Sequence, residues 1–325
     1  MKEPFIDMRL WRQFAVLAEE LHFGRAAQRL HMTQPPLTQA IAGLERTLGL
    51  QLFDRTKRSV QLTPAGAALL PQVLDLLERA QTLPALARAA AAGEVGRLRL
   101  AFVSTVGFGL LPQWVRAFRA QWPGVRLELI EATGDVQLQA LARGEIDAGL
   151  LLHTPGQAPA TLQCLCVAQE PLVLALPEHH PLAQRPTLDF SDLQQEPLVI
   201  FPRPILPSLY DAIVALYHAA GQEPQVAQEA IQMQTIVNLV SADLGLAWVP
   251  ASVQQFQRPG VVYRQLGGPS APVPVCETSL VWGAAVPPAL ARWIDFVAQE
   301  VQASTLKGQG VLRVHNRPHA DLSPH

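Results

Sequence analysis

The chain is poor in cysteine, in charged residues and in aromatic residues. Its 325 residues include three cysteines, 16% charged and 6% aromatic residues, whereas 49% are hydrophobic. An odd, sparse set of cysteines excludes a disulfide framework and fits a reducing compartment, so we expect a cytoplasmic protein. The hydrophobic content excludes a disordered chain, and the length predicts two or three domains.

Other sequence signals are also missing. No uninterrupted apolar run is long enough for a bilayer, and the opening MKEPFIDMRLWRQF has no apolar signal core, so we expect neither a membrane partner nor secretion. The chain has no phosphate-binding glycine loop, no nucleophile elbow and no metal motif. We therefore predict that it is not an enzyme, and that it needs no metal or cofactor.

The few charges are distributed unevenly along the chain. Residues 1–63 hold nine basic and six acidic residues, for a net charge of +3, whereas the remaining residues hold 16 basic and 21 acidic ones, for a net charge of −5. A mildly basic head on an acidic body is typical of a local phosphate-binding surface.

Residues 1–63 show the pattern of a winged helix-turn-helix. An amphipathic helix over 7–21 is followed by a short helix over 25–30 and a longer one over 33–49, which opens with two prolines and ends at a glycine. Two short strands, 50–55 and 59–62, flank a basic tip and predict the wing. Such a head binds double-stranded DNA.

Residues 64–92 predict a linker helix that pairs with a second copy. They are rich in Ala and Leu, and Pro84 should kink or interrupt the helix. An apolar stripe recurs at helical spacing, and we expect a partner helix rather than the head to bury it. The stripe consists of Leu69, Val73, Leu76, Leu77 and Ala80.

From residue 97 onward, strand-like and helical segments alternate, which predicts a parallel sheet covered by helices and folded as two α/β lobes. We expect an effector-binding module of periplasmic-binding-protein type over 93–303. Lobe 1 would cover about 93–168 and 272–303, and lobe 2 about 169–271. The polar tail 304–325 is predicted to be disordered.

The residues from Leu10 to Gly66 closely resemble the DNA-binding head of LysR-type transcriptional regulators. The matching string is FAVLAEELHFGRAAQRLHMTQPPLTQAIAGLERTLGLQLFDRTKRSVQLTPAG, and FVSTVGFGLLPQWVRAFRAQWPGVRLELIEA, GEIDAGLL, HHPLA and LVSADLGLAWVPAS resemble the family's effector module. The resemblance covers roughly residues 8–302. EELHFGRAAQRLH and GFGLLP look most like the branch that senses products of aromatic-compound breakdown.

The resemblance implies that the third helix enters the major groove of DNA, where base edges are read. Family members often carry Arg or Lys near positions 39–43, but this chain has Gln39, Ala40, Ala42 and Gly43 there. Base reading by a cation is therefore not carried over. The predicted base-contacting residues are Thr33, Gln34, Pro35, Thr38 and Gln39, and the predicted phosphate or minor-groove contacts are Arg25, Arg55, Lys57 and Arg58.

A small organic acid is the expected effector, held between the lobes. Ser104 and Thr105 follow a strand and precede a helix, so hydroxyls and backbone N–H groups there suit a carboxylate. Similar family members use hydroxyl residues after this strand and the next, which here ends before Thr133. The complete predicted effector set is Ser104, Thr105, Val106, Thr133, Phe201, Pro202 and Gln232, with Phe108 as a further apolar wall.

Three alternatives remain open at this point. A two-lobed enzyme or a solute-binding transport protein would leave the DNA-binding head without a role. A redox-responsive regulator of the same fold would use Cys164 and Cys166, which are separated by one residue. Beyond DNA and the effector, self-association to a dimer or homotetramer is expected, and RNA polymerase is a candidate further partner.

Overall fold

The computed structural model describes residues 5–56, 59–267 and 273–306. Contacts between residues divide the chain into two compact units, Met1–Arg88 and Ala89–His325. The first unit contains three helices, a two-stranded antiparallel wing and a long helix. These elements are α1 (Met8–Glu20), α2 (Phe23–Arg29), α3 (Gln34–Leu48), β1 (Phe53–Arg55), β2 (Val60–Leu62) and α4 (Pro64–Ala91).

Local signals fix the ends of these helices. The Asp7 carboxylate accepts a hydrogen bond from Arg9 N at 2.7 Å and caps α1. Gly49 closes α3 in the left-handed conformation, with φ of 69°. Thr63 Oγ1 accepts from Gly66 N at 3.0 Å, which caps the start of α4. The glycine predicted to end the third helix is therefore where the sequence places it.

The core of the head takes up much of the stripe on α4. Val73 is buried there, and Leu69 and Leu77 are partly buried against Phe14, Leu37 and their neighbours. The expectation that only a partner helix could bury the stripe is therefore wrong for its first half. Exposed leucines remain on the helix, namely Leu74, Leu76, Leu83 and Leu86.

The long helix α4 runs without interruption through Pro71 and Pro84. The expected interruption at Pro84 is therefore wrong. Proline removes one N–H and crowds the carbonyl four residues earlier. Residues 81–88 around Pro84 are all exposed, and Thr82 Oγ1 donates to the carbonyl of Arg79 at 2.7 Å.

The second unit is an α/β module in two lobes, with strands and helices from three to 19 residues long. Its strands are β3 (Gly96–Phe102), β4 (Val125–Glu131), β5 (Ala148–His153), β6 (Gln163–Pro177), β7 (Leu198–Ile200), β8 (Val226–Glu229), β9 (Ala247–Pro250), β10 (Val261–Arg264) and β11 (Val275–Trp282). Its helices are α5 (Ser104–Gly107), α6 (Leu110–Gln121), α7 (Gly134–Ala142), α8 (Pro207–Ala219), α9 (Met233–Ser241) and α10 (Pro288–Leu306).

The long strand β6 belongs to both lobes. Its first half pairs with β11 in a sheet ordered β4-β3-β5-β11-β6, and its second half pairs with β9 and β10. The pairing register shifts between Thr278 and Ser279 of β11, near the middle of β6. A shift of this kind bends a strand, and it lies a few residues before Leu172, where β6 begins to pair with β9.

The sheets are mixed rather than parallel throughout. Strands β3, β4 and β5 are parallel, as are β7 and β8, but β6, β9, β10 and β11 pair antiparallel with their neighbours. The predicted all-parallel sheet is wrong for these four strands. One buried cluster around Trp114, Phe118 and Trp293 forms the core of the first lobe, and a second around Leu174, Ile213 and Val249 forms that of the other.

Candidate functional site

The outer face of α3 is the first candidate surface. Leu37, Ile41 and Leu44 bury the inner face of this helix, so residues on its other side are open to a partner. The side chains of Thr33, Gln34, Pro35 and Gln39 are exposed, and Thr38 is half-buried with its hydroxyl donating to the Gln34 carbonyl at 3.1 Å. Thr33 is the N-cap residue, but its side chain makes no capping hydrogen bond.

Two of the predicted phosphate contacts are already paired within the head. Arg55 Nη2 lies 2.5 Å from Glu45 Oε2, and its guanidinium stacks over the Phe23 ring. Arg25 pairs with Glu20 at 3.2 Å. These contacts hold the wing and α2 in place, so Arg55 in particular must leave Glu45 to bind a phosphate. Lys57 and Arg58 lie outside the described residues.

A cation that the sequence reasoning missed lies on the outer face of α3. Arg46 is exposed and follows Gln39 by seven residues, which is about two helical turns, so the two share a face. The seven-residue spacing from Gln39 could have identified Arg46. The sequence-based search for a cation on this helix covered only positions 39–43.

A cavity opens in the second unit at the carboxyl ends of parallel strands from both lobes. Ligands in open α/β sheets bind at such strand ends. The space open to the centre of a water molecule is about 50 Å³, well below the roughly 150 Å³ of an apolar cavity that binds benzene. The lining consists of Val103, Ser104, Thr105, Ala132, Thr133, Gly134, Leu152, Phe201, Ile205, Leu206, Ile231, Gln232 and Met233.

The structure brings five of the seven predicted effector residues to this one cavity, and these are Ser104, Thr105, Thr133, Phe201 and Gln232. The other two are not among its lining. Val106 is buried in the core of the first lobe, and Pro202 begins the short turn after β7. Phe108 stacks on Phe256 instead of facing the cavity. The expectation that these three residues form part of the wall is corrected.

Two helices start at the cavity with their first turns uncapped by a side chain. Thr133 is the N-cap residue of α7 and Gln232 that of α9, and neither side chain accepts a bond from its own helix. Each helix has nine residues, so its amino end carries a partial positive charge that favours an anion. The helix after Ser104 is a single turn, α5, and contributes little dipole.

One buried polar atom at the cavity lacks a partner. The Thr105 side chain is 5% exposed, and its Oγ1 makes no hydrogen bond to any described residue. A buried hydroxyl left without a partner costs about 1–3 kcal/mol. None of the thirteen lining residues is charged, and the cation nearest in sequence, Arg203, is held by Asp211 at 2.7 and 2.8 Å. The Arg203 guanidinium lowers the pKa of Asp211.

Comparison with known proteins identifies both units. Residues 8–67 match the model of the bacterial regulatory helix-turn-helix protein, lysR family, and residues 91–302 match the LysR substrate binding domain.

The chain belongs to the LysR family. It is a DNA-binding transcriptional regulator with an effector-binding domain. The relatives support this, because HTH-type transcriptional regulator IlvR of Caulobacter vibrioides is 47% identical over 278 residues, covering 85% of this chain and 92% of IlvR. The regulator AlsR of Bacillus subtilis is 39% identical over 80% of this chain and 86% of AlsR. Both are named as regulators and not as enzymes, and the resemblance noted in the sequence is confirmed.

Solved structures of the LysR family show the same fold. Full-length CbnR in complex with its target DNA is 30% identical, covers 91% of this chain and 100% of its own, and gives a TM-score of 0.75. Full-length BenM is 28% identical over 93% of this chain and 98% of its own, with a TM-score of 0.54. The predicted winged helix-turn-helix and two-lobed effector module are confirmed.

The redox alternative is not supported. Cys164 is exposed, whereas Cys166 and Cys276 are buried, and all three are free thiols. Burial, with Glu277 nearby, raises the pKa of Cys166 to about 12, and burial also raises the pKa of Cys276. A redox-sensing thiol needs the opposite, a lowered pKa with access to oxidant.

Thiol reactivity tests this assignment. At pH 8 a group with a pKa of about 12 is ionised in about one molecule in ten thousand. We expect one fast-reacting thiol in the native protein, Cys164, and three after unfolding, measured with a chromogenic disulfide reagent. Peroxide treatment should leave operator binding unchanged. Two fast native thiols, or loss of DNA binding on oxidation, would contradict the assignment.

A buried polar cluster joins strands β5, β6 and β11. His153 Nδ1 lies 2.8 Å from the Thr154 carbonyl and Nε2 lies 3.1 Å from Ser279 Oγ. Ser279 donates to Glu277 Oε1 at 3.2 Å, and Gln169 donates to Glu277 Oε2 at 2.8 Å. Sequence reasoning did not find this cluster, because its members lie on three strands that are distant in the chain.

In the part of the chain that the structure describes, no group of three or more His, Cys, Asp and Glu side chains is placed to hold a metal ion. His180 caps a short turn through its Nδ1, and His179 faces Asp243 at 3.5 Å. Among the same residues, no helix has both the length and the apolar composition of a membrane-spanning segment.

Proposed function

We propose that the amino-terminal half of α3 reads the operator and that cations near it fix the register. Gln34 and Gln39 are exposed on this helix, and an amide can both donate to and accept from an adenine edge. Arg46 lies on the same face and is the phosphate contact that the described residues favour most. Lys57 and Arg58 of the wing remain proposed contacts, as do Arg25, Thr33, Pro35, Thr38 and Arg55.

Reading and anchoring should respond differently to substitution. Gln34→Ala should weaken binding to the operator by about 1–3 kcal/mol and reduce the preference for it over random DNA, since it removes a base contact. Arg46→Ala should weaken both DNAs alike and lower the slope of log K against log salt by about 0.9. Fluorescence anisotropy on both DNAs at several salt concentrations measures this. The reverse pattern would reject the assignment.

We also propose that two copies pair through α4 and place two heads on a partly palindromic site. Leu76, Leu83 and Ala90 follow one another at intervals of seven residues, with Ala80 and Ala87 between them. Apolar residues in this 3–4 spacing form a seam for a second helix. Leu76 is 42% and Leu83 59% exposed in the single chain, so the seam is open to a partner.

We propose that the cavity between the lobes holds a small organic anion that controls the regulator. The observation that carries this proposal is the buried, unpartnered hydroxyl of Thr105, a residue that lines the same cavity as Ser104 and Thr133. A carboxylate would accept from these hydroxyls and from the first-turn N–H groups of α7. A bound effector would favour one arrangement of the lobes over another and so alter the DNA contact.

Thr105→Val gives effects of opposite sign on stability and on binding. Without effector, the variant should be more stable than the wild type by about 1 kcal/mol, because it no longer buries a hydroxyl without a partner. With effector at 100 times its Kd, the wild type should gain about 2.7 kcal/mol, and the variant should lose most of that gain. Thermal unfolding with and without organic acids measures both.

A residue that merely supports the fold would not give this pair of results. Thr38→Val serves as a matched control, since Thr38 lies in the head and its hydroxyl already donates to the Gln34 carbonyl. It should leave the effector-induced gain intact. If cations or nucleotides stabilise the protein and organic acids do not, the proposed effector class is wrong.

A further inference from the structure

We infer that the effector is a compact aliphatic acid with a single carboxylate. This inference rests on the proposed function and narrows it. The sequence resemblance suggested the branch that senses products of aromatic breakdown. The lining, charge and size of the cavity favour a different ligand.

The lining provides donors for one carboxylate and no more. Its four polar side chains are those of Ser104, Thr105, Thr133 and Gln232, and the amino ends of α7 and α9 add backbone N–H groups. No lining side chain is charged. A second ionised carboxylate would lie among apolar groups without a cation, and burying an unpaired charge is costly. The cavity therefore disfavours dicarboxylates.

The rest of the wall is aliphatic, with a single aromatic ring. Apart from Phe201, the apolar lining consists of Val103, Ala132, Leu152, Ile205, Leu206, Ile231 and Met233. Aliphatic side chains match a branched alkyl group in shape as well as in polarity. They fit a short branched chain better than a flat ring.

Size gives the third argument. The space open to the centre of a water molecule is about 50 Å³, well below the roughly 150 Å³ of an apolar cavity that holds benzene. Isobutyrate is smaller than benzoate and comes closer to fitting that space. Protein interiors are close-packed, so an aromatic acid could enter only if the lobes separated further.

A panel of probes on the full-length protein tests each argument. Isobutyrate and isovalerate are compared with benzoate for shape, with succinate for a second charge, and with isobutyramide for the loss of charge at equal size. Titration calorimetry should give isobutyrate or isovalerate at least tenfold tighter binding than benzoate, succinate or isobutyramide. Thr105→Val should weaken the best acid at least tenfold.

A variant that enlarges the cavity provides a second readout. Leu206 is half-buried at the start of α8 and lines the cavity. Leu206→Ala should reduce the preference for isobutyrate over benzoate at least fivefold, because the added space admits the ring. The wild-type chain is the reference.

The outcomes separate this inference from the function it rests on. If benzoate or succinate binds tighter than both aliphatic acids and Thr105→Val weakens that binding, the site stands and the aliphatic class is wrong. If no carboxylate binds, or isobutyramide binds as well as isobutyrate, the proposed anion site fails as well. Tight aliphatic binding that is lost in Thr105→Val, with relaxed selection in Leu206→Ala, supports the inference.

Discussion

Replacing Gly66 with alanine is expected to destabilise the DNA-binding head by about 3 kcal/mol or more. A Cβ at this position would lie only 2.3 Å from the Leu52 carbonyl oxygen and 2.9 Å from a methyl carbon of Leu62. The Leu52 backbone has little freedom to move away. Its carbonyl accepts from Thr63 N at 3.0 Å, and its N–H donates to Glu45 at 3.0 Å.

Hydrogen–deuterium exchange of the full chain measures this effect. Amides of α1 and α3 should exchange faster in Gly66→Ala, operator binding should fall, and the strands of the second unit should be unaffected. Gly43→Ala is the matched control, because a Cβ there would meet nothing within 4 Å. It sits inside α3 and should stabilise the head by about 0.5–1 kcal/mol. Equal effects of the two substitutions would contradict the argument from the Leu52 carbonyl.

The sequence predicts the head well because its signals are local. Asp7, the proline pair before Leu37 and Gly49 each act on the backbone within one or two turns. The predicted helices therefore begin and end within a few residues of the observed ones. The predicted strand at 50–55 shortens to Phe53–Arg55, and Glu45 binds the backbone N–H groups of Leu52 and Phe53 where the strand starts.

Long-range pairing was harder to predict. The first half of β6, which begins QCLCVAQ, pairs with β11 more than 100 residues later, and nothing in its own sequence indicates that partner. The short strands β8 and β10 have four residues each, too few for a clear alternation. The alternating order of strands and helices indicated lobes, but it could not show where antiparallel strands would be added.

The cavity was predicted in outline, because strand ends collect polar residues in this kind of fold. What failed was the direction of single side chains. Ser104 and Thr105 line the cavity, but the side chain of the next residue, Val106, is buried in the core. The three residues lie on the single helical turn α5, where successive side chains point in different directions. The chain reverses similarly after Phe201, so that Pro202 leaves the wall. Sequence adjacency does not fix direction where a strand ends and a turn begins.

The stripe on α4 illustrates another limit. Periodic apolar residues predict that a face is buried, but they do not say whether the same chain or a second one buries it. The structure divides the stripe, with Val73 buried by the head and Leu76 and Leu83 exposed. This division indicates which substitutions should act on assembly and not on folding.

Charging the exposed half of the stripe should therefore separate the dimer and abolish tight operator binding. The double variant Leu76→Glu, Leu83→Glu places four carboxylates in the seam of a dimer, where they would be desolvated and would repel one another. The single head should still fold, since both leucines are exposed in the single chain. We expect a monomer at micromolar concentration and at least a 100-fold loss of affinity for a two-half-site operator.

Leu74→Glu is the matched control on the same helix. Leu74 is 40% exposed, close to the 42% of Leu76, but it precedes Leu76 by two residues and so lies about 200° around the helix. Sedimentation velocity should show the wild-type assembly for Leu74→Glu and a monomer for the double variant. Anisotropy with one and two half-sites should show that the affinity for a single half-site changes little in either variant. A double variant that stays dimeric, or a Leu74→Glu protein that separates equally, would place the seam on another face of α4.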